Sequence, residues 1–261
     1  MTKDKLTPSL KYSKPSSFYL KTKRDFFTGN DKLLQESIKQ NELYTTQPQR
    51  NACKICEVVL PDTIDFQSHG VDYIFCSECS HLNGKFEDTQ AFIEKLYISD
   101  EGSDYSNNYI DEDFIKRTKD IYVPKVDFLI NSIPKKKYEI LDVGCGGGYF
   151  VFAALLKKLN INGLDVSKTM VDFGNNQISH HLKKKPLKFE KEKGFYNTII
   201  NSDANVISAI GVIEHLREPH KFFTAFKQSK AQYLYYSVPM FSFSVALENI
   251  FKNIFPRQLS G

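Results

Sequence analysis

Apolar and polar positions along the chain change their period several times. Residues 1–50 are polar, rich in Lys, Ser, Thr, Gln and Asn. Only 30–43, with Leu33, Leu34, Ile38 and Leu43, show an incomplete helical stripe. Short strand-like runs follow at Val58-Val59-Leu60 and Asp72-Tyr73-Ile74-Phe75. Phe86, Phe92, Ile93, Leu96 and Tyr97 return to helical spacing. So do Phe114, Ile115, Tyr122, Val126, Leu129 and Ile133, where Pro124 predicts a kink or two helices. From residue 138 apolar runs alternate with amphipathic ones. Strands are predicted near 138–143, 161–165, 187–191, 205–211 and 233–238. Helices are predicted near 149–159, 168–180, 194–202, 218–229 and 243–253, with Ser167 as an N-cap. The alternation predicts an α/β domain: a doubly wound, mostly parallel sheet covered on both faces.

Composition narrows the class. At 261 residues, 41% hydrophobic and 25% charged, the chain reads as a globular protein with room for a second small domain. No apolar run approaches the roughly 20 residues of a membrane span. Met1 to Pro15 lacks the apolar segment of a secretory leader, so a cytoplasmic chain is the simplest reading. A net charge of +4 does not argue for nucleic acid, and the runs Lys135-Lys136-Lys137 and Lys183-Lys184-Lys185 read as solvated loops.

Four of the five cysteines, Cys53, Cys56, Cys76 and Cys79, form two C-x-x-C pairs 19 residues apart. That spacing suits one tetrathiolate Zn2+ site in a small ribbon, with disulfides or a redox pair as the alternatives. Four sulfur ligands leave no open position, so such a zinc would be structural. His81 could serve as a spare ligand. Cys145 reads as a small residue suited to a tight turn.

Tyr138 to Gly148 is an apolar strand, an acid and a glycine-rich turn that opens an apolar helix. The spacing is Asp142, Gly144, Gly146, Gly148, and Tyr149 stands where a dinucleotide fingerprint wants a third small residue. Asp165 follows a second apolar strand, 21 residues after Gly144. Val206 to Leu216 is a strand running into Glu214-His215. This ordered set, over about 138–240, resembles the class I S-adenosylmethionine (SAM)-dependent methyltransferases, with their Rossmann-like sheet. The resemblance implies a glycine loop at the methionine carboxylate, Asp142 organising the loop and favouring the cationic end, and Asp165 on the ribose. Glu190, Lys191 and Asp203 are candidates for the adenine side. His215, beside Glu214, stands where a general base is placed, while His180, His181 and His220 read as surface residues.

The order zinc ribbon, linking helices and methyltransferase core is similar to a bacterial family that includes sugar C-methyltransferases. That family acts on nucleotide-linked keto-deoxysugars. It implies a small-molecule acceptor, a nucleotide sugar or surface-polysaccharide precursor; Val212 stands where some members have tyrosine. Tyr105 and Tyr109 could line the acceptor pocket. An RNA methyltransferase gripping its substrate with the ribbon is an alternative, but Glu57, Asp62, Asp65, Asp72 and Glu78 disfavour phosphate contact. A non-catalytic SAM-binding module is the other.

The chain thus divides into a polar extension (1–50), a zinc ribbon (51–83), a helical linker (84–134) and a methyltransferase domain (135–261). The family sheet has seven strands and five can be placed here. A C-terminally incomplete domain is therefore expected, with self-association through the fifth strand, Tyr233 to Val238.

Overall fold

The computed structural model describes residues 30–97, 114–134, 137–239 and 250–251. α1 (Asn30–Thr45) leads into a small antiparallel sheet, β1 (Phe66–Ser68), β2 (Val71–Phe75) and β3 (Leu82–Gly84), in that order. Val58 to Leu60, expected as a strand, is the return limb of the first cysteine turn. Val59 makes a single bridge to Ala52 and is 78% exposed. α1 is fastened to this module by Tyr44, whose hydroxyl donates to the Phe86 carbonyl (2.6 Å) and whose ring packs on Phe86 and Phe92. Buried Arg50 bonds the Gly84 and Phe86 carbonyls and pairs with Glu87 and Asp88.

α2 (Gln90–Tyr97) follows. α3 (Phe114–Arg117), a π-helical segment (Thr118–Tyr122) and α4 (Val123–Ser132) then form one continuous helical run. Pro124 does not stop the run. Pro124 falls inside that run, at the start of α4, and the π-helical widening just before it is the irregularity that accommodates its missing N–H.

The main sheet is β4 (Glu139–Val143), β5 (Asn160–Asp165), β6 (Leu187–Phe189), β7 (Val206–Ile210) and β8 (Tyr233–Ser237), all parallel, in the order β6-β5-β4-β7-β8. α5 (Tyr149–Leu156), α6 (Lys168–Leu182), α7 (Glu192–Ile200) and α8 (Pro219–Gln228) are the crossovers. Alternate strand residues feed two cores, as expected for a sheet covered on both faces. Ile140 and Val206 join Phe150, Phe152, Val126 and Ile178 on one side. Leu141, Val143 and Ile207 join Ile199 and Phe222 on the other. The order reverses at β4, so the crevice at the carboxyl ends of β4 and β7 is the place for a ligand. Ser167 caps α6 as expected, accepting from Met170 N–H. The helix expected at 243–253 lies largely outside the described residues, as do Tyr105 and Tyr109. Among the described residues no helix is long and apolar enough to cross a membrane.

The short edge strand β6 is clasped by one side chain. Asn175 Nδ2 donates to the Leu187 carbonyl (2.9 Å), and Leu187 N–H donates back to Asn175 Oδ1 (3.0 Å). Asn175→Ala should leave both groups of a buried residue without this partner and cost about 1–3 kcal/mol. Urea unfolding measures the loss, and faster hydrogen exchange at Leu187 locates it.

Candidate active site

Backbone geometry shapes the glycine loop between β4 and α5. Gly144 has φ +68°, and a Cβ there would lie 2.5 Å from Val212 Cγ2. Only glycine lets the turn after β7 come this close. Gly146 has φ +49°, and a Cβ there would meet nothing nearer than Met170 Cε at 3.9 Å, so bare backbone faces open space.

The loop amides are less available than the sequence suggests. Gly144 and Cys145 N–H both donate to the Leu164 carbonyl (2.8 and 3.1 Å), and Gly148 N–H donates to the Cys145 carbonyl (2.9 Å). Gly146 N–H donates to Asp165 Oδ2 (2.7 Å). These bonds knit the loop to β5 rather than offering its N–H groups to a carboxylate. The other Asp165 oxygen accepts from Ser167 N–H (2.7 Å). Burial raises the Asp165 pKa, against the N–H bonds that lower it. Each of its oxygens keeps a second lone pair that a ribose hydroxyl could use.

Asp142 is 3% exposed and accepts from Ser208 Oγ at 2.7 Å. Burial pushes its carboxyl up to about 7; Ser208 opposes this, Asp165 adds to it, and the Lys125 charge opposes it. Sequence reasoning passed over Ser208. Its signal was there: one polar residue inside the apolar run Val206 to Ile210, directly paired with Asp142 across β4 and β7. An open glycine face beside two buried acids fits a ligand with a cationic centre and hydroxyl groups, as SAM has.

The Glu-His pair lies on a 3₁₀ turn (Ile213–His215) leaving β7. Glu214 Oε2 is buried without a hydrogen-bond partner. His215 is exposed, yet protein packed around its ring lowers its pKa; Glu214 counteracts this and the Lys54 charge adds to it. Of the adenine-side candidates, Glu190 follows β6 with its carboxylate on Thr198 and Lys188, while Asp203 pairs with Lys230 before β7, at the amino end of that strand. Lys191 is exposed just before α7. Two open hollows of about 450 and 480 Å³ lie near Asn160 and near Asn197, away from the glycine loop.

The two cysteine pairs sit on matching turns. Glu57 N–H donates to the Cys53 carbonyl and Ser80 N–H to the Cys76 carbonyl, both at 2.9 Å, and Glu57 and Ser80 both have positive φ. All four sulfurs lie within 4.8 Å of one another; His81 is not among them. Cys53 to Cys79 is 3.6 Å and Cys56 to Cys76 is 3.4 Å. These distances exceed a disulfide's ~2.05 Å. They approach the ~3.8 Å separation implied by a tetrahedron with ~2.3 Å zinc–sulfur bonds. At Cys53 burial opposes ionisation, but N–H groups of Cys56 and Ile55 and the Asn83 amide outweigh it, bringing the thiol to about 6.

Residues 141–230 match the family model of a methyltransferase domain. Over these residues the chain carries a methyltransferase domain. A comparison with curated proteins found no match. Among solved structures, the chain is similar to magnesium protoporphyrin IX methyltransferase from Synechocystis with bound SAH: 15% identity, TM-score 0.48, 65% of this chain and 80% of that one. It is also similar to the plantazolicin methyltransferase BpumL with SAH: 18% identity, TM-score 0.38, 52% of this chain and 50% of that one. This chain therefore spans about half the length of BpumL. Both likenesses are too distant to bear on the acceptor.

The raised pKa of Asp142 makes the methyltransferase domain pH-dependent. A carboxyl whose pKa rises on folding, here from 3.8 to about 7, stabilises the unliganded fold below pH 3.8, and that contribution is lost as pH rises through about 7. A cationic ligand favours the ionised form. SAM affinity should therefore increase from pH 6 to pH 8 in calorimetry, and Asp142→Asn should flatten both that increase and the corresponding slope in urea unfolding.

Proposed function

We propose that this enzyme methylates a nucleotide-linked sugar or a surface-polysaccharide precursor at a carbon next to a keto group. The observation that carries this reading is the contact of Val212 with Gly144. It brings the turn bearing Glu214 and His215 against the loop that would hold the methyl donor. Gly146 would give the donor close backbone approach, Asp142 a counter-charge and Asp165 a ribose partner, with Gly144 and Gly148 shaping the loop. Bound SAM supplies an electrophilic methyl on a sulfonium.

The residues of this chain do the rest. His215, kept toward the neutral form by its surroundings, takes the proton from the acceptor carbon. The resulting enolate carbon forms the new bond to the methyl. The electron pair of the broken carbon–sulfur bond stays on sulfur. Glu214, the preceding residue, would steady the imidazolium that forms. An RNA acceptor is disfavoured because Glu57, Asp62, Asp65 and Glu78 are all exposed on the cysteine module. A cytoplasmic setting accompanies this reading.

Incubation with SAM and a panel of nucleotide-linked 4-keto-deoxysugars should yield a product one methyl heavier, with the label on carbon by mass spectrometry and NMR. Methylation of RNA alone would overturn the reading. His215→Ala should lower turnover roughly 10²–10⁴-fold and leave SAM affinity in place.

The four cysteines would hold one structural Zn2+. Elemental analysis should find about one zinc per chain. Cys76→Ser should lose it and melt the N-terminal module, with SAM binding retained. A metal-free protein with an intact module would contradict this assignment.

A further inference from the structure

An aromatic stack stands between the glycine loop and the helical run 114–132. Its centre is Tyr149, the first residue of α5, which is 3% exposed. A Cβ at Gly147 would lie 3.1 Å from Tyr149 Cε2, so this ring touches the loop itself. Phe114 packs on Tyr149 with 4.7 Å between ring centroids, and Tyr122 stacks on it at 5.5 Å with the planes 15° apart. Over the same ring stands the Arg117 guanidinium, its Cζ 5.3 Å from the centroid. Arg117 and Tyr122 are five residues apart, across the π-helical turn in which Val123 N–H donates to the Thr118 carbonyl. An α-helix would turn these two side chains well away from one another; the wider turn lets both reach Tyr149. That turn carries a local cost, since Thr118 is fully buried and its hydroxyl has no hydrogen-bond partner. Such π turns are rare and recur at functional sites.

The loop beside this stack has little to offer an anion. The N–H groups of Gly144, Cys145, Gly146 and Gly148 are committed within the protein. Asp142 and Asp165 are buried beside it, and their ionised forms repel a further carboxylate. SAM carries such a carboxylate at its methionine end, so the site needs a cation there. Two cations stand on the stack: Arg117 on Tyr149 and, one ring further from the loop, Lys125 on Tyr122 at 5.5 Å. Arg117 is the one on the ring that meets the loop, and its planar fork matches a carboxylate through two hydrogen bonds. We propose that Arg117, held over Tyr149 by the π turn, binds the methionine carboxylate of the donor in place of the loop amides. The inference rests on SAM as the donor and deepens that reading by giving the helical linker a residue in donor recognition.

Calorimetry on the full chain with two probes tests this without an acceptor. One probe is SAH; the other is its decarboxylated amine, which keeps the adenosine, the thioether and the ammonium but lacks the carboxylate. Arg117→Met keeps an unbranched stem over the ring and removes the charge. It should weaken SAH binding roughly 10–100-fold, as expected for loss of a hydrogen-bonded charge pair, and should not weaken the amine. Arg117→Lys should recover part of the SAH affinity. Lys125→Met should leave the ratio of the two affinities at its wild-type value. Equal weakening of both probes by Arg117→Met would make Arg117 a packing residue and overturn the assignment. Unchanged SAH affinity in that variant, or a ratio that collapses only in Lys125→Met, would overturn it too. A wild-type chain that binds no SAH at all would instead sink the donor reading, and this assignment with it.

Discussion

The Asp142–Ser208 bond, buried where β4 and β7 run side by side, is the contact on which the rest of the site depends. Both residues lie within the sheet, and their partnership lets a carboxyl survive almost without solvent. It also sets the separation of the two strand ends. β4 delivers the glycine loop and β7 delivers the Glu-His turn, so the separation of these two turns is fixed by the sheet rather than by the loops. Gly144 completes the arrangement by letting Val212 close against it.

The glycine loop is rigid for a related reason. Its amides are spent on Leu164, Asp165 and Cys145, which ties it to β5 and closes its own turn. A loop held this way does not reorganise when a ligand arrives, so binding costs less ordering entropy. The loop therefore presents shape and bare backbone rather than a cluster of free N–H groups. Asp165 serves both ends of this scheme: it bonds Gly146 and Ser167, and so joins the loop to the start of α6.

The cysteine module follows the same economy at a larger scale. Two copies of one turn bring four sulfurs together, and the first of them also carries Glu57, which lies 3.8 Å from His220 of α8.

The sequence by itself determined the parallel sheet, its five described strands, the α6 cap at Ser167, the glycine loop and the pairing of the cysteines. Each of these is a local signal: a period, a spacing, or a residue type demanded by backbone conformation. Tertiary structure decided what local signals do not carry. Asp142 is silent in the sequence as to its partner, because Ser208 lies 66 residues away and only the strand order makes them neighbours. The loop amides looked available until β5 came alongside to accept from them. Val58 to Leu60 had strand composition but spends it on a turn, since the sulfur geometry outranks β-propensity. Nor does the sequence show that His220, partly exposed, lies 3.8 Å from Glu57 of the cysteine module. In each case the physical reason is the same: hydrogen-bond partners and burial depend on which segments pack together, and no local pattern encodes that.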